Sequence, residues 1–390
     1  MKIDINKIKL VPDQYGFNFC QFGNLSKDVE DWSEYWNFKL EKSGPYTNIL
    51  INDDTDISLL FNEPKVYEYI DGFSPNLNKH LHVGHLSNLV IANAMQKLGI
   101  GKKSIAILGD TVTGEISKQD ALQSFRKYCT EFGYKVDNIF FASDMSLKNN
   151  ILVDGEDKYL GTKIFDLGDE KVVGIKSSGE TSYFYQDIAL AEYLDSPTLY
   201  LTGLEQKNHF NMVKKLYPNI DHIGLGLVLL DSKKMSSSEG NIIYLSDFIN
   251  DLIKIFDNIE LVYNVLAGQI LKSNLSVNKL IDKNLIKNPK TSLGLYMSYT
   301  MAHIKSCGVY TKLIKNYNSK ELTFAEIKSK VNLSPNVLFE ALVKHCKIIN
   351  KLYEKHYIKN NKENIEMFSN LISDLELGMK KLGMFSINKV

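Results

Sequence analysis

The sequence predicts an α/β domain with a parallel sheet, followed by an all-α helical bundle, and three observations lead there. Between about residues 66 and 245, short apolar runs alternate with turn-rich and helix-periodic stretches. That order is what a parallel sheet needs, because parallel neighbours can be joined only through a crossover. From residue 246 onward, apolar residues recur at helical spacing alone. Ahead of both, residues 1–65 have weak periodicity and aromatic clusters in YGFNFCQF and DWSEYWNF. They read as a small appended element with no assigned chemistry, giving three parts: 1–65, 66–245 and 246–390.

The elements follow in order. VYEYI from Val66 reads as a strand, SPNLNKHLHVGH as a turn-rich loop, Leu86 to Leu98 as an amphipathic helix, and SIAIL at 104–108 as the next strand. KIFDLGDEKVVGIKSSGETSYFY contains two alternating runs divided by Gly168 and Asp169, a hairpin inside or beside the sheet. TLYLTG at 198–203 and HIGLGLVLL at 222–230 read as further buried strands. Ser246, just before DFINDLIKIF, is a candidate N-cap for the first helix of the bundle. Helical spacing then continues through Leu293 to Ile314, Val337 to Tyr353 and Ile365 to Leu382.

With 390 residues, 44% hydrophobic and 24% charged, the chain can bury a sizeable core. It contains no run of about 18 apolar residues, and MKIDINKIKLVPDQYG lacks the apolar stretch of a secretory signal, so a cytoplasmic protein without a membrane partner is expected. Cys20, Cys129, Cys307 and Cys346 lack the paired spacing of a zinc or redox motif and read as buried thiols. The 46 basic residues, all lysine except Arg126, are cancelled by 46 acids. Zero net charge argues against strong sequence-independent binding of nucleic acid, while leaving a local basic face open.

Two motifs carry chemistry. HVGH at 82–85 sits where a loop passes into a helix, so backbone amides and the positive end of the helix dipole can face a phosphate. His82 and His85 can donate imidazole hydrogen bonds to phosphate oxygens, and Gly84 lets a nucleotide approach the backbone. KMSSSEGN follows a buried strand and offers Lys233, Lys234 and hydroxyls where charge builds up on departing pyrophosphate. One preorganised donor of this kind is worth about 3 kcal/mol. Each motif alone is more often a solvated loop. Together, in this order and each at the end of a strand in one α/β domain, they point to a split ATP site that activates a carboxylate as an adenylate.

The pair resembles the HIGH and KMSKS signatures of class I aminoacyl-tRNA synthetases, and within that class the arginyl-tRNA synthetases. SPNLNKHLHVGHL at 74–86 is similar to that family's SPN-x-x-K-P-x-HVGHLR, TSYFYQDIAL at 181–190 to its T-x-Y-x-x-x-D-I-A, and GLEQKNHF at 203–210 to its G-x-x-Q-x-x-HF. HIGLGLVLLDSKKMSSSEGN resembles its H-V-x-F-G-x-V and K-M-S-x-R-x-G-N elements, LGLYMSYTMAHIKS its TGPYVQYAHARI stretch, and LELGMKKLGM its last helix. The resemblance covers about residues 66–390. It implies a Rossmann-like catalytic domain, an anticodon-binding type of bundle, and arginine, ATP with Mg2+, and tRNA as substrates or partners.

Residue by residue, the resemblance implies catalytic roles for His82, His85, Lys79 and Lys234. It puts ATP on His82, Gly84, His85, Gly203, Lys234, Ser236 and Ser237, and the amino acid on Asp71, Ser74, Asn76, Tyr183, Asp187 and Gln206. A guanidinium is a planar fork of donors, so carboxylates, amide oxygens and an aromatic face suit it. Tyr183 and Asp187, four apart, share a face if their segment is helical. Lys79 stands where the family's lysine compensates for a missing second lysine in KMSKS, here Ser237.

The sequence also departs from the family. The large N-terminal tRNA-elbow domain is absent or reduced to residues 1–65, and YGFNF reads as its remnant. Ser238 and Glu239 stand where a basic residue is usual, and an acid beside a phosphate is unfavourable. Ser87, Gln186 and His303 replace basic residues, which predicts reduced contact with tRNA. Alternatives therefore stay open: a paralogue passing its adenylate to another acceptor, a non-catalytic tRNA-binding module, and a nucleotidyltransferase.

Overall fold

The computed structural model describes residues 8–12, 17–22, 38–51, 65–110, 116–230, 233–234, 243–282, 284–309, 334–358 and 361–388. Strands β1 (Ile8–Pro12), β2 (Phe17–Phe22), β3 (Phe38–Ser43) and β4 (Tyr46–Ile51) form an antiparallel sheet in the order β1-β2-β4-β3. Gly44 turns β3 into β4 at φ +58°, a backbone conformation that favours glycine.

Next come β5 (Tyr67–Asp71), α1 (Leu86–Leu98), β6 (Gly101–Leu108), α2 (Lys118–Glu131) and β7 (Asn138–Phe141). The chain continues through β8 (Val153–Asp154), β9 (Lys163–Asp166), β10 (Lys171–Ile175), α3 (Tyr183–Leu194), β11 (Thr198–Gly203), α4 (Lys207–Leu216) and β12 (Ile220–Leu225). Five strands make one parallel sheet, ordered β12-β11-β5-β6-β7. The chain winds outward from β5 to β7, then returns to β11 on the other side of β5. The strand order therefore reverses between β5 and β11, where an open α/β sheet leaves a crevice at its carboxyl ends.

Local chemistry explains the helices. Ser117 caps α2 by accepting the Asp120 N–H at 3.1 Å, and Ser182 caps α3 by accepting that of Tyr185 at 3.2 Å. Ser182 also donates to the Val173 carbonyl at 2.7 Å, fixing α3 against β10. Helix α1 is not the amphipathic element expected. Leu86, Ser87, Leu89 to Met95 and Leu98 are all buried, so it is largely a core helix, with only Asn88, Gln96 and Lys97 reaching solvent in part or in full.

The expected hairpin forms beside the main sheet. β9 and β10 pair antiparallel about Gly168 (φ +85°) and join β8 in a three-stranded sheet of their own. The apolar run at 222–230 is two strands, β12 and β13 (Val228–Leu230), broken at Gly226. A Cβ on Gly226 would meet the Val277 carbonyl and be 2.6 Å from Asn278 N, so only glycine admits that neighbouring backbone. β13 pairs with β14 (Lys233–Lys234) on one side.

Helix α5 (Leu245–Phe256) starts one residue before Ser246, so Ser246 is not its N-cap. The Leu245 N–H instead donates to the Leu81 carbonyl at 2.9 Å, and a tertiary hydrogen bond does the work of a local cap. Helix α6 (Ile259–Leu271) is followed by β15 (Lys279–Ile281), which adds to β13 as its other neighbour. Helices α7 (Leu293–Ser306), α8 (Pro335–Tyr353) and α9 (Lys362–Lys381) complete the described chain.

The chain divides into two compact units. One comprises residues 66–248 with 275–280; the other comprises residues 249–274 and 281–390 together with residues 1–65. The second unit thus includes the N-terminal sheet, and β1 runs beside α8. Its core is tied by Asn264, fully buried on α6, which donates to Ser298 Oγ and the Phe385 carbonyl, both at 2.9 Å, and accepts the Phe385 N–H at 2.7 Å. Of the cysteines, Cys20, Cys129 and Cys346 are buried, whereas Cys307 is half-exposed. Among the described residues, no helix is long and apolar enough to cross a membrane.

Candidate functional site

A cavity of about 330 Å³ opens at the crevice between β5 and β11. Asp71, Ser74 and Asn76 line it from the β5 side, His82, Gly84, His85 and Asn88 from the loop and helix that follow, and Leu201 to Gly203, Glu205 and Gln206 from β11. Gly226 to Val228 close a further wall. Eight residues expected at the site from the sequence line this one cavity: Asp71, Ser74, Asn76, His82, Gly84, His85, Gly203 and Gln206.

HVGH forms a single 3-10 turn, Val83–His85, leading directly into α1. The Gly84 N–H donates to His82 Nδ1 at 3.0 Å, and the His82 N–H donates to His85 Nδ1 at 3.1 Å. A backbone N–H can only donate, so both Nδ1 atoms are lone-pair acceptors and each neutral ring carries its proton on Nε2. The rings lie 4.1 Å apart between centroids. Burial and nearby Lys79 hold the His82 pKa below the usual range, while burial, the neighbouring His82 and, in opposition, the His82 backbone contact leave His85 at about 3. Both rings are therefore neutral Nε2–H donors at neutral pH. Gly84 is needed for this ring rather than for a close approach of nucleotide alone. A Cβ there would sit 2.6 Å from His82 Cε1 and 2.7 Å from Nδ1.

At the end of β5, burial raises the Asp71 carboxyl to about 7, with the Ser74 hydroxyl opposing and the Asp187 charge adding to the rise. Ser74 donates to Asp71 Oδ1 and accepts the Ile107 N–H at 2.9 Å. Asn76 bridges to Gly109 of the adjoining loop, where any side chain would strike its amide. Asn88 Nδ2 donates to the Leu201 carbonyl at 2.8 Å, fixing α1 against β11.

Tyr183 and Asp187 do share a face of α3, but neither lines the cavity; Tyr183 is 61% exposed. Asp187 Oδ2 lies 2.6 Å from His209 Nε2 on α4. That ring is wedged edge-on against Phe184 and Phe210, at 5.4 and 5.1 Å. Lys79 is exposed beside the turn. Lys234 lies on β14, paired with Leu229, and Ser236 and Ser237 fall outside the described residues, as do Ser238 and Glu239. Ile243 and Tyr244 are fixed on the HVGH segment: Val83 N–H donates to the Ile243 carbonyl at 3.1 Å, and His82 bridges to Tyr244.

Sequence reasoning missed Glu205, Asn88, Thr202 and His209. His209 lay inside the quoted GLEQKNHF element, but its hydrogen bond spans two helices and has no sequence period. Among the described residues, no group of three or more His, Cys, Asp or Glu is placed to hold a metal ion.

No family model matches the chain. A stretch of 93 residues, 20% of the chain, is 41% identical to the arginine–tRNA ligase of Limosilactobacillus fermentum and spans 16% of that protein. Over 86% of the chain and 84% of the other protein, identity to the arginine–tRNA ligase of Clostridium kluyveri is 23%. The solved arginyl-tRNA synthetase of Thermus thermophilus shares the fold, with a TM-score of 0.65 at 14% identity, across 98% of this chain and 96% of that one. The chain is a homologue of the arginine–tRNA ligases. The architecture shared with the synthetase structure is an α/β parallel-sheet domain followed by a helical domain. Ser87 and Gln186 are 2% and 4% exposed. His303 is half-exposed and stacks on Tyr299, centroids 5.8 Å apart.

Proposed function

We propose that this chain is an arginine–tRNA ligase that makes arginyl-adenylate from arginine and ATP and transfers the arginyl group to tRNA. The observation that carries this reading is the convergence, in one cavity at the switch point of the sheet, of two neutral Nε2–H donors, a helix N-terminus and buried Asp71. An α-carboxylate oxygen of arginine attacks the α-phosphorus of ATP in line, and the bond to pyrophosphate breaks. His82, His85, Lys79 and Lys234 stabilise charge on the phosphate oxygens, with Gly84, Gly203, Ser236 and Ser237 around the nucleotide. Asp71, Ser74, Asn76, Tyr183, Asp187 and Gln206 hold the amino acid. A terminal hydroxyl of tRNA then takes the acyl group and AMP leaves, with the helical domain holding the tRNA. Mg2+ would enter on the phosphates, which supply most of its ligands where few carboxylates are available.

The test is amino-acid-dependent exchange of pyrophosphate into ATP, run with each amino acid and with and without tRNA. Exchange with arginine and charging of an arginine tRNA are expected. No exchange with any amino acid would refute activation. Exchange without charging would favour the second reading, a paralogue with another acceptor, for which the zero net charge and Glu239 speak. Loss of arginine affinity in Asp187→Ala is expected, and unchanged affinity would remove Asp187 from the pocket.

A further inference from the structure

Tyr200 stands on β11 in register with Asp71, which lines the cavity; its own side chain lies outside that lining and makes no hydrogen bond. Among the described residues its hydroxyl has no partner, and the side chain is 1% exposed. On β11 it is in register with Asp71 of β5 on one side and His222 of β12 on the other, so the three side chains rise on one face of the sheet. The phenol packs against Phe210 at 4.7 Å; Phe210 stacks on His222 at 4.8 Å, and His222 Nε2 is fixed at 2.9 Å from Thr202 Oγ1. Burial, and then the charges of Asp187 and Asp71, push its ionisation well above the usual range, so it stays a neutral hydroxyl.

A guanidinium brings five N–H donors and no acceptor. The two carboxylates that act on Tyr200 each have one oxygen already in use: Asp187 Oδ2 faces His209 Nε2 at 2.6 Å, and Asp71 Oδ1 takes the Ser74 hydroxyl. We propose that the Tyr200 hydroxyl is a substrate contact, accepting a hydrogen bond from the guanidinium of arginine and donating its own hydrogen to one of the two flanking carboxylates. This rests on arginine being the substrate. A buried hydroxyl without a partner destabilises the free protein, and binding removes that penalty, so the group discriminates for a ligand that can fill the gap.

The experiment is Tyr200→Phe, read by arginine and ATP titrations of pyrophosphate exchange and by thermal melting. The expected result is a KM for arginine raised about ten- to hundredfold, as for a lost hydrogen bond to a charged group, with the KM for ATP unchanged and stability equal or higher. An active Tyr200→Phe enzyme whose KM for arginine stays within twofold of wild type overturns the proposal and leaves the ligase reading standing. A variant that melts lower or fails to fold also overturns it, because the free hydroxyl would then have had a partner to lose. Absence of arginine-dependent exchange in the wild type removes the ligase reading itself.

Discussion

Replacing Gly84 with alanine separates the histidine geometry from the stability of the fold. The new Cβ would lie 2.6 Å from His82 Cε1 and 2.7 Å from its Nδ1, so the ring must turn away. Turning breaks the 3.0 Å bond from the Gly84 N–H to Nδ1 and carries the Nε2–H donor off its line. In stability, one neutral hydrogen bond is worth about 1 kcal/mol, and alanine returns roughly 0.5–1 kcal/mol by reducing the freedom of the unfolded chain. The melting temperature should therefore hardly move. In catalysis, one preorganised donor is worth about 3 kcal/mol, or two to three decades in rate. The assay is arginine-dependent pyrophosphate exchange beside a thermal melt. In a double-mutant cycle, Gly84→Ala should cost almost nothing further once His82→Ala has removed the clash. Exchange by Gly84→Ala within about threefold of wild type would refute the reasoning, as would full additivity with His82→Ala.

Three further outcomes follow from the structure. Asp71 holds its proton up to about pH 7 when folded, against 3.8 ordinarily, so the folded chain binds more protons in that window. Stability present below pH 4 should be lost as pH rises to 7, by roughly 4 kcal/mol, and Asp71→Asn should flatten that slope in melts across the range; an identical slope would exclude Asp71 as its source. With both HVGH histidines held below the usual range, neither should give kcat for exchange an acid limb at the ordinary histidine value of about 6.5, and a limb there that disappears in His82→Gln would contradict neutral donors. In α9, Gly378→Ala should destabilise by about 1–3 kcal/mol although alanine favours helix, because its Cβ would strike buried Leu342 of α8. A rise in melting temperature would show that Leu342 gives way.

What could be read from the sequence depended on how local the cause was. Strand-loop-helix order, the buried runs of β5, β6 and β11, and the junction of HVGH with α1 all follow from apolar spacing and turn residues within one window. The misread features were those where a distant partner overrides the local pattern. Ser246 has the chemistry of a cap, but the Leu81 carbonyl takes the helix's first N–H. Helix α1 carries a few polar residues that look like a wet face, yet Ser87 and Asn93 among them are buried by neighbouring elements. The run at 222–230 is continuous in hydrophobicity, but Gly226 must break it to pass the backbone at Val277.

By itself the sequence determined the parallel α/β domain, the helical region after it, and the residues that meet around HVGH. Those depend on periodicity and on the chemistry of single side chains. Only the tertiary structure decided the tautomers of His82 and His85, the raised carboxyl of Asp71, the pairing of Asp187 with His209 and the orphaned hydroxyl of Tyr200. Each is set by burial and by contacts between elements far apart in the chain, where neither spacing nor residue type fixes which atoms meet.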